Sequence, residues 1–275
     1  MIITMRRYIM GNIYQDYCVA FIDILGFKMM TSTLEKIEKN STIINEALDL
    51  MRTYNPKQRY ERLFEKSDII QMQVSDSLIF IFPKDFSNII VAIGWISILQ
   101  FLLAQKGIYI RGSINSGAMY IDKDNDRYFG EAWNKAVLSE EKAVTPRILI
   151  EPDIARIIEE GLHQINESVL EFFIDQDGEI VLTSYTPLSV ISLFHGLNEH
   201  DLQTAYTELL DNLELQVEGA KNNPHLLQKF LWISQHIIMF GEKYDVLAKR
   251  IQIIKKQIIE YLTGGVSLER IPQRY

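Results

Sequence analysis

The run Tyr17-Cys18-Val19-Ala20-Phe21-Ile22 is apolar throughout and ends in a carboxylate, Asp23, with Gly26-Phe27-Lys28 following at once. A continuous run of β-branched and aromatic residues reads as a central strand covered on both faces, not as the alternating strand of a half-exposed sheet. A charge placed where such a strand ends costs free energy unless something compensates it.

The rest of the chain supplies what that strand needs. Thr31 to Tyr54 has helical spacing, with Leu34, Ile37, Ile44, Leu48 and Met51 as its apolar stripe and Asn55-Pro56-Lys57 as its stop. Two short apolar runs, Asp68–Val74 and Ser77–Pro83, flank Ser75-Asp76 and predict a hairpin with Asp76 at its tip. Ile89 to Ala104 is apolar but shorter than the ~20 residues that span a bilayer, and it contains Gly94, Ser97 and Gln100. It predicts a buried helix ended by Gly107. Ile108 to Ile121 is strand-like, with glycines where a bulge or a close backbone approach is expected. An acidic loop over 122–126 leads to a helix opening near Gly130, and Pro146–Ile150 predicts another short strand.

The resulting order, β-α-β-β-α-β-α-β, describes an α+β fold: an antiparallel-rich sheet with helices on one face, the ferredoxin-like plan carried further. A hairpin over Phe172–Tyr185 turns at Asp177-Gly178, and its acids read as turn residues. From Pro187 the pattern is helical, in about three segments broken near Asn222-Asn223-Pro224 and at Gly241. The expected division is a sheet domain over 1–186 and a helical extension over 187–275, packed on that domain or on a partner subunit.

Composition narrows the function. With 47% hydrophobic and 23% charged residues the chain is an ordinary globular one, and its net charge of −8, with no basic stripe interleaved with aromatics, argues against a nucleic-acid surface. A polyanionic substrate would then need a metal. Cys18, the only cysteine, falls inside the buried-strand pattern; it reads as a core residue and fits a reducing cytoplasm. Met1–Met10 carries two arginines but no long apolar segment or small-residue cleavage site, so no signal peptide is expected, and with Ile89–Ala104 read as a buried helix no membrane partner is expected. His163, His195, His200, His225 and His236 lack metal-ligand spacing, and Lys229–Phe240 reads as a core or subunit-contact stripe.

Asp23 ends a central strand, and the hairpin bearing Asp76 can lie beside it. Two carboxylates brought together repel each other unless a divalent cation bridges them, and hard oxygen ligands suit Mg²⁺ or Mn²⁺. The other reading makes Asp23 a helix N-cap and Asp76 a turn residue. The pair alone leaves both standing.

The surrounding residues resemble class III nucleotidyl cyclases. Phe21, Asp23, Ile24, Gly26 and Phe27 match that family's Phe-x-Asp-Ile-x-Gly-Phe signature, and Val74-Ser75-Asp76-Ser77 stands where it has its second metal aspartate. Arg111, Ile114 and Gly117 are in register with its Arg-x-Gly-Ile-x-x-Gly strand, Ser113 replacing a glycine; Gly130 and Asn134 match its Gly-x-x-x-Asn helix. These matches run in order over about residues 17–160, closing with the Pro146–Ile158 strand and helix.

The resemblance implies two divalent metals held by Asp23, Asp76 and the Ile24 carbonyl, a nucleoside triphosphate substrate cradled by the amides of Gly26, Phe27 and Lys28, and Asn134 orienting the ribose. It also implies a homodimer with sites across the interface. Three departures stand out. Met72 replaces the purine-reading lysine of adenylyl cyclases, and Arg127 replaces their aspartate. Leu138 stands where an arginine is expected, and the late hairpin has no phosphate-binding lysine, which leaves transition-state charge to Arg147 or Arg111. This combination resembles the bacterial pyrimidine cyclases of the Pycsar anti-phage systems, whose product activates a separate effector. Arg127 can donate to pyrimidine carbonyls but cannot accept from adenine's amine, favouring UTP over CTP and both over ATP. A degenerate cyclase-like protein keeps the same fold. A diguanylate-cyclase or palm-like enzyme shares the opening motif, but its hairpin carries a Gly-Gly-Asp-Glu tip that is not found here.

Overall fold

The computed structural model describes residues 14–54, 67–165, 172–182, 199–241 and 245–264. The N-terminal segment, the Asn55–Lys57 stop and the division at 186/187 lie outside the described residues. Strand β1 (Tyr14–Ile24) is followed by helices α1 (Phe27–Met30) and α2 (Leu34–Thr53), the hairpin β2 (Ile70–Val74) and β3 (Ser77–Pro83), and helix α3 (Phe86–Gln105). Then come β4 (Ile110–Asp122), β5 (Arg127–Gly130), α4 (Glu131–Glu140), β6 (Ile148–Ile150), α5 (Pro152–Ile165), β7 (Phe172–Ile174) and β8 (Ile180–Leu182). Three helices close the described chain: α6 (Glu199–Gly219), α7 (Pro224–Gly241) and α8 (Asp245–Leu262).

The strands form one sheet in the order β2-β3-β1-β4-β6-β8-β7, with β5 paired to β4. Its first four strands have the ferredoxin-like order, and of the pairs described only β4–β6 is parallel. The fold is α+β with an antiparallel-rich sheet. β1 runs against β4 from Tyr14–Tyr120 to Ile24–Ile110 without a bulge. The alternative expected of the glycines, close approach, is what Gly112 provides: a Cβ there would lie 2.4 Å from the Phe21 carbonyl oxygen.

Both faces of β1 are covered, as its apolar run requires. Cys18, Ala20, Ile22 and Ile24 join a core with α2, α3 and α5, where Trp95 sits edge-on to Phe80 at 5.1 Å. The helix α3 is long and apolar enough by composition to cross a membrane, but here it is packed into this core. Val19 points the other way, into a cluster of Ile79, Ile81, Met119, Ala132 and Ala136. Helix α4 therefore lies on the face opposite α2 and α3, which corrects the expectation of helices on one face only. The extra strand β5 returns the chain to that face, and two alanines let α4 approach closely while the buried Ser113 hydroxyl donates to the Ala136 carbonyl at 2.7 Å. Helices α6 to α8 form a third cluster, with Tyr206, Leu209, Leu213, Phe230 and Ile233 against Phe101, Ala104, Tyr109, Leu149 and Val181.

Candidate active site

The site begins where β1 ends. Asp23 sits opposite Arg111 of β4 on one side and Ser77 of β3 on the other. Ser77 follows the two-residue turn Ser75-Asp76, in which Ser75 takes a positive φ of 57°. A tight turn at that register brings the Asp76 carboxyl within hydrogen-bonding reach of Asp23. Burial, then the hydrogen bond and charge of Asp76, then the charge of Glu140 push the Asp23 carboxyl up to about 7, against the opposing pull of Arg111. The N-cap of α1 is Gly26, with φ of 85°, so Asp23 caps no helix.

Backbone alternation places a third oxygen nearby. The Leu25 N–H donates to the Tyr109 carbonyl at 2.8 Å, so odd residues at this end of β1 bond to β4 and even residues turn toward β3. The β1–β3 ladder ends at Asp23–Ser77. The Ile24 carbonyl is thus directed past that last pair, toward the turn that carries Asp76. Beyond it, Gly26 accepts from the Met29 and Met30 amides at 2.9 and 3.1 Å, while the amides of Phe27 and Lys28 belong to the first turn of α1 and have no partner within that helix.

Arg111 ties this end of the sheet to α4. Its Nε lies 2.7 Å from Glu140 Oε1, a terminal nitrogen 3.7 Å from Asp23, and another donates to the Ala143 carbonyl at 3.3 Å. Held in this way, it positions Asp23 and is not a free cation. Glu140 is buried, and burial raises its carboxyl above the ordinary range in spite of Arg111. Sequence reasoning missed it. Its signal was an acid in the last turn of a helix, where the dipole disfavours negative charge.

Arg147, expected as one source of transition-state charge, lies at the late hairpin. Its guanidinium is buried and paired with Asp175, at 2.5 Å, and with Asp177. Its charge is therefore already balanced, by acids that also build the Asp175–Gly178 turn. Met72 is half-buried beside the α4-side cluster that Tyr128 also packs against, and Arg127, next to Tyr128, is exposed at the start of β5 opposite Asp122. Asn134 and Leu138 lie one turn apart on α4, both exposed, Leu138 to 64%, while Ala132 and Ala136 face the sheet.

No group of three or more His, Cys, Asp or Glu side chains among the described residues could cage a metal by itself. Two carboxylates and a carbonyl do suit Mg²⁺ or Mn²⁺, since Mg²⁺ is commonly bound by one or two carboxylates, with water and substrate phosphates supplying the remaining oxygens. The proton that Asp23 keeps up to about 7 marks a place where a cation relieves carboxylate repulsion.

No protein-family model matches the chain, and no curated protein matches it. Among solved structures, the guanylyl cyclase Cya2 aligns at 12% identity and a TM-score of 0.40 over 62% of this chain and 91% of its own. The guanylyl cyclase domain of the RhoGC fusion protein from the aquatic fungus Blastocladiella emersonii aligns at 15% identity and 0.41, over 62% and 94%. A bacterial light-regulated adenylyl cyclase aligns at 13% identity and 0.41, over 66% and 57%. Each of these is a nucleotidyl cyclase. At such scores the likeness is one of outline, and the reading of the site rests on its own residues.

Proposed function

We propose that this protein is a metal-dependent nucleotidyl cyclase that converts a pyrimidine nucleoside triphosphate, UTP ahead of CTP, to a 3′,5′-cyclic nucleotide and pyrophosphate. The observation that carries the reading is the register that pairs Asp23, at the end of the central strand, with Ser77 beside the turn bearing Asp76, where the hydrogen bond and charge of Asp76 act on Asp23, inside a sequence resembling the class III signature. Bound divalent metal would lower the pKa of the ribose 3′-hydroxyl and offset charge on the triphosphate. Asp23, Asp76 and the Ile24 carbonyl would hold it. Arg111 and Glu140 fix the Asp23 carboxylate in place. In the reaction the 3′-oxygen forms a bond to the α-phosphorus, the bond from that phosphorus to the oxygen bridging to the β-phosphate breaks, and the hydroxyl proton passes to solvent.

Asn134 is exposed on α4, and in the class III plan this helix serves the site of a second chain; the proposal is therefore a homodimer with two sites. The pyrimidine preference rests on Met72 and Arg127, which cannot accept from a purine amine. The same resemblance carries a role in phage defence through a separate effector. Incubation with each of the four ribonucleoside triphosphates and Mn²⁺, followed by chromatography, tests the reading. Cyclic UMP is the expected main product. Cyclic AMP as main product overturns the base assignment, and no cyclic product from any substrate favours a degenerate site.

A further inference from the structure

A cavity of about 530 Å³ opens beyond the ends of β1 and β4, lined in part by Leu25, Gly26, Lys39, Tyr109, Lys229 and Phe230. It lies on the side of Asp23 toward which the chain leaves β1, and the C-terminal helix α7 forms its far wall. Lys229 stands at the head of the apolar stripe of α7, between the buried Leu227 and Phe230 on that helix, and is itself half-buried. The charge that acts on it is that of Arg111, of its own sign; burial first, then Arg111, lower its pKa. In a chain with 36 acidic and 28 basic residues, no salt bridge among the described residues gives this lysine a carboxylate. Lys39 lines the same recess and likewise has no salt bridge among the described residues, so two cations share it and call for an anion.

Resting on the cyclase reading, we infer that Lys229 binds the phosphate chain of the substrate from the C-terminal helices, supplying the cation that the late hairpin and Leu138 do not. The recess adjoins Gly26, so a triphosphate whose reacting end is at Asp23 and Asp76 extends into it. A flexible ammonium reaches phosphate oxygens as a point charge with three donors. The helical extension is then part of the site.

The test is calorimetric titration of inorganic tripolyphosphate, with Mg²⁺ present, into the full-length protein and into Lys229→Gln, Lys229→Met, Lys229→Arg and the control Lys256→Gln. Lys256 is exposed to 80% on α8. Both neutral variants should bind about tenfold more weakly or worse, Lys229→Arg should recover most of the affinity, and Lys256→Gln should match wild type. Without tripolyphosphate the neutral variants should melt no lower than wild type, because an unpaired half-buried charge has been removed; a purely structural lysine would give the opposite result. Lys229→Met retains the packed stem, so the test does not depend on Lys229→Gln folding. Equal affinity in wild type and both neutral variants overturns the assignment and leaves the cyclase reading intact. A wild-type protein that binds no tripolyphosphate and cyclises no nucleotide overturns both.

Discussion

At the residue scale the site is a problem of charge. A carboxyl held at about 7, against an ordinary value near 3.8, stays protonated in the folded chain over a range where the unfolded chain has lost the proton. The folded state then binds more protons, so its stability falls as pH rises between those values. Glu140, raised in the same sense, adds to the trend. Asp175 and Asp177, held low by their hydrogen bonds, lose stabilisation only in more acidic solution. Metal-free protein should therefore melt several degrees lower at pH 8 than at pH 5.5, Mn²⁺ should restore the loss at pH 8, and Asp76→Asn should flatten the slope. A melting temperature independent of pH over that window would show that the two carboxyls do not interact. Asp23 and Asp76 were legible in the sequence because each follows or interrupts an apolar run. Glu140 was not, since its one local signal, an acid in the last turn of a helix, gains meaning only when α4 is seen to lie over β4.

At the element scale, the first strand, the hairpin and the apolar helix were readable from periodicity and turn residues. The strand β5 was not, because Arg127-Tyr128-Phe129-Gly130 is too short for a period and pairs only with the outer part of β4. The face taken by α4 was hidden for the same reason: it follows from the β4–β5 turn and from small residues at Ala132 and Ala136, not from an apolar stripe. Gly130 is the hinge of that arrangement, with φ of 157° and a virtual Cβ 2.2 Å from the Ala118 carbonyl oxygen. Gly130→Ala should cost about 2 kcal/mol or more of folding stability, measured by denaturant unfolding, and should lower turnover by displacing Asn134 and Glu140 together. An unchanged midpoint would mean that the arm relaxes at no cost.

At the scale of the whole molecule, the three C-terminal helices were predicted, but their use was not. Lys229 gains a role only once α7 is packed beside Tyr109, a contact between distant parts of the chain that no local pattern reveals. The dimer is part of the proposal, and it draws on Asn134 and on Leu138, an apolar side chain 64% exposed one turn away. Sedimentation at micromolar concentration should give a dimer, and Leu138→Asp should shift it to monomer with turnover falling in parallel. A fully active monomer would remove the shared site.

Cyclisation itself is most directly read by phosphorus NMR of the protein with Mn²⁺-initiated, EDTA-quenched UTP or CTP. A nucleotidyl cyclase built on Asp23 and Asp76 gives a 3′,5′-cyclic phosphate and pyrophosphate in equal amounts, and Asp23→Asn and Asp76→Asn give neither while remaining folded. Equal production by either variant, or a wild-type dimer that leaves all four triphosphates intact, would contradict it.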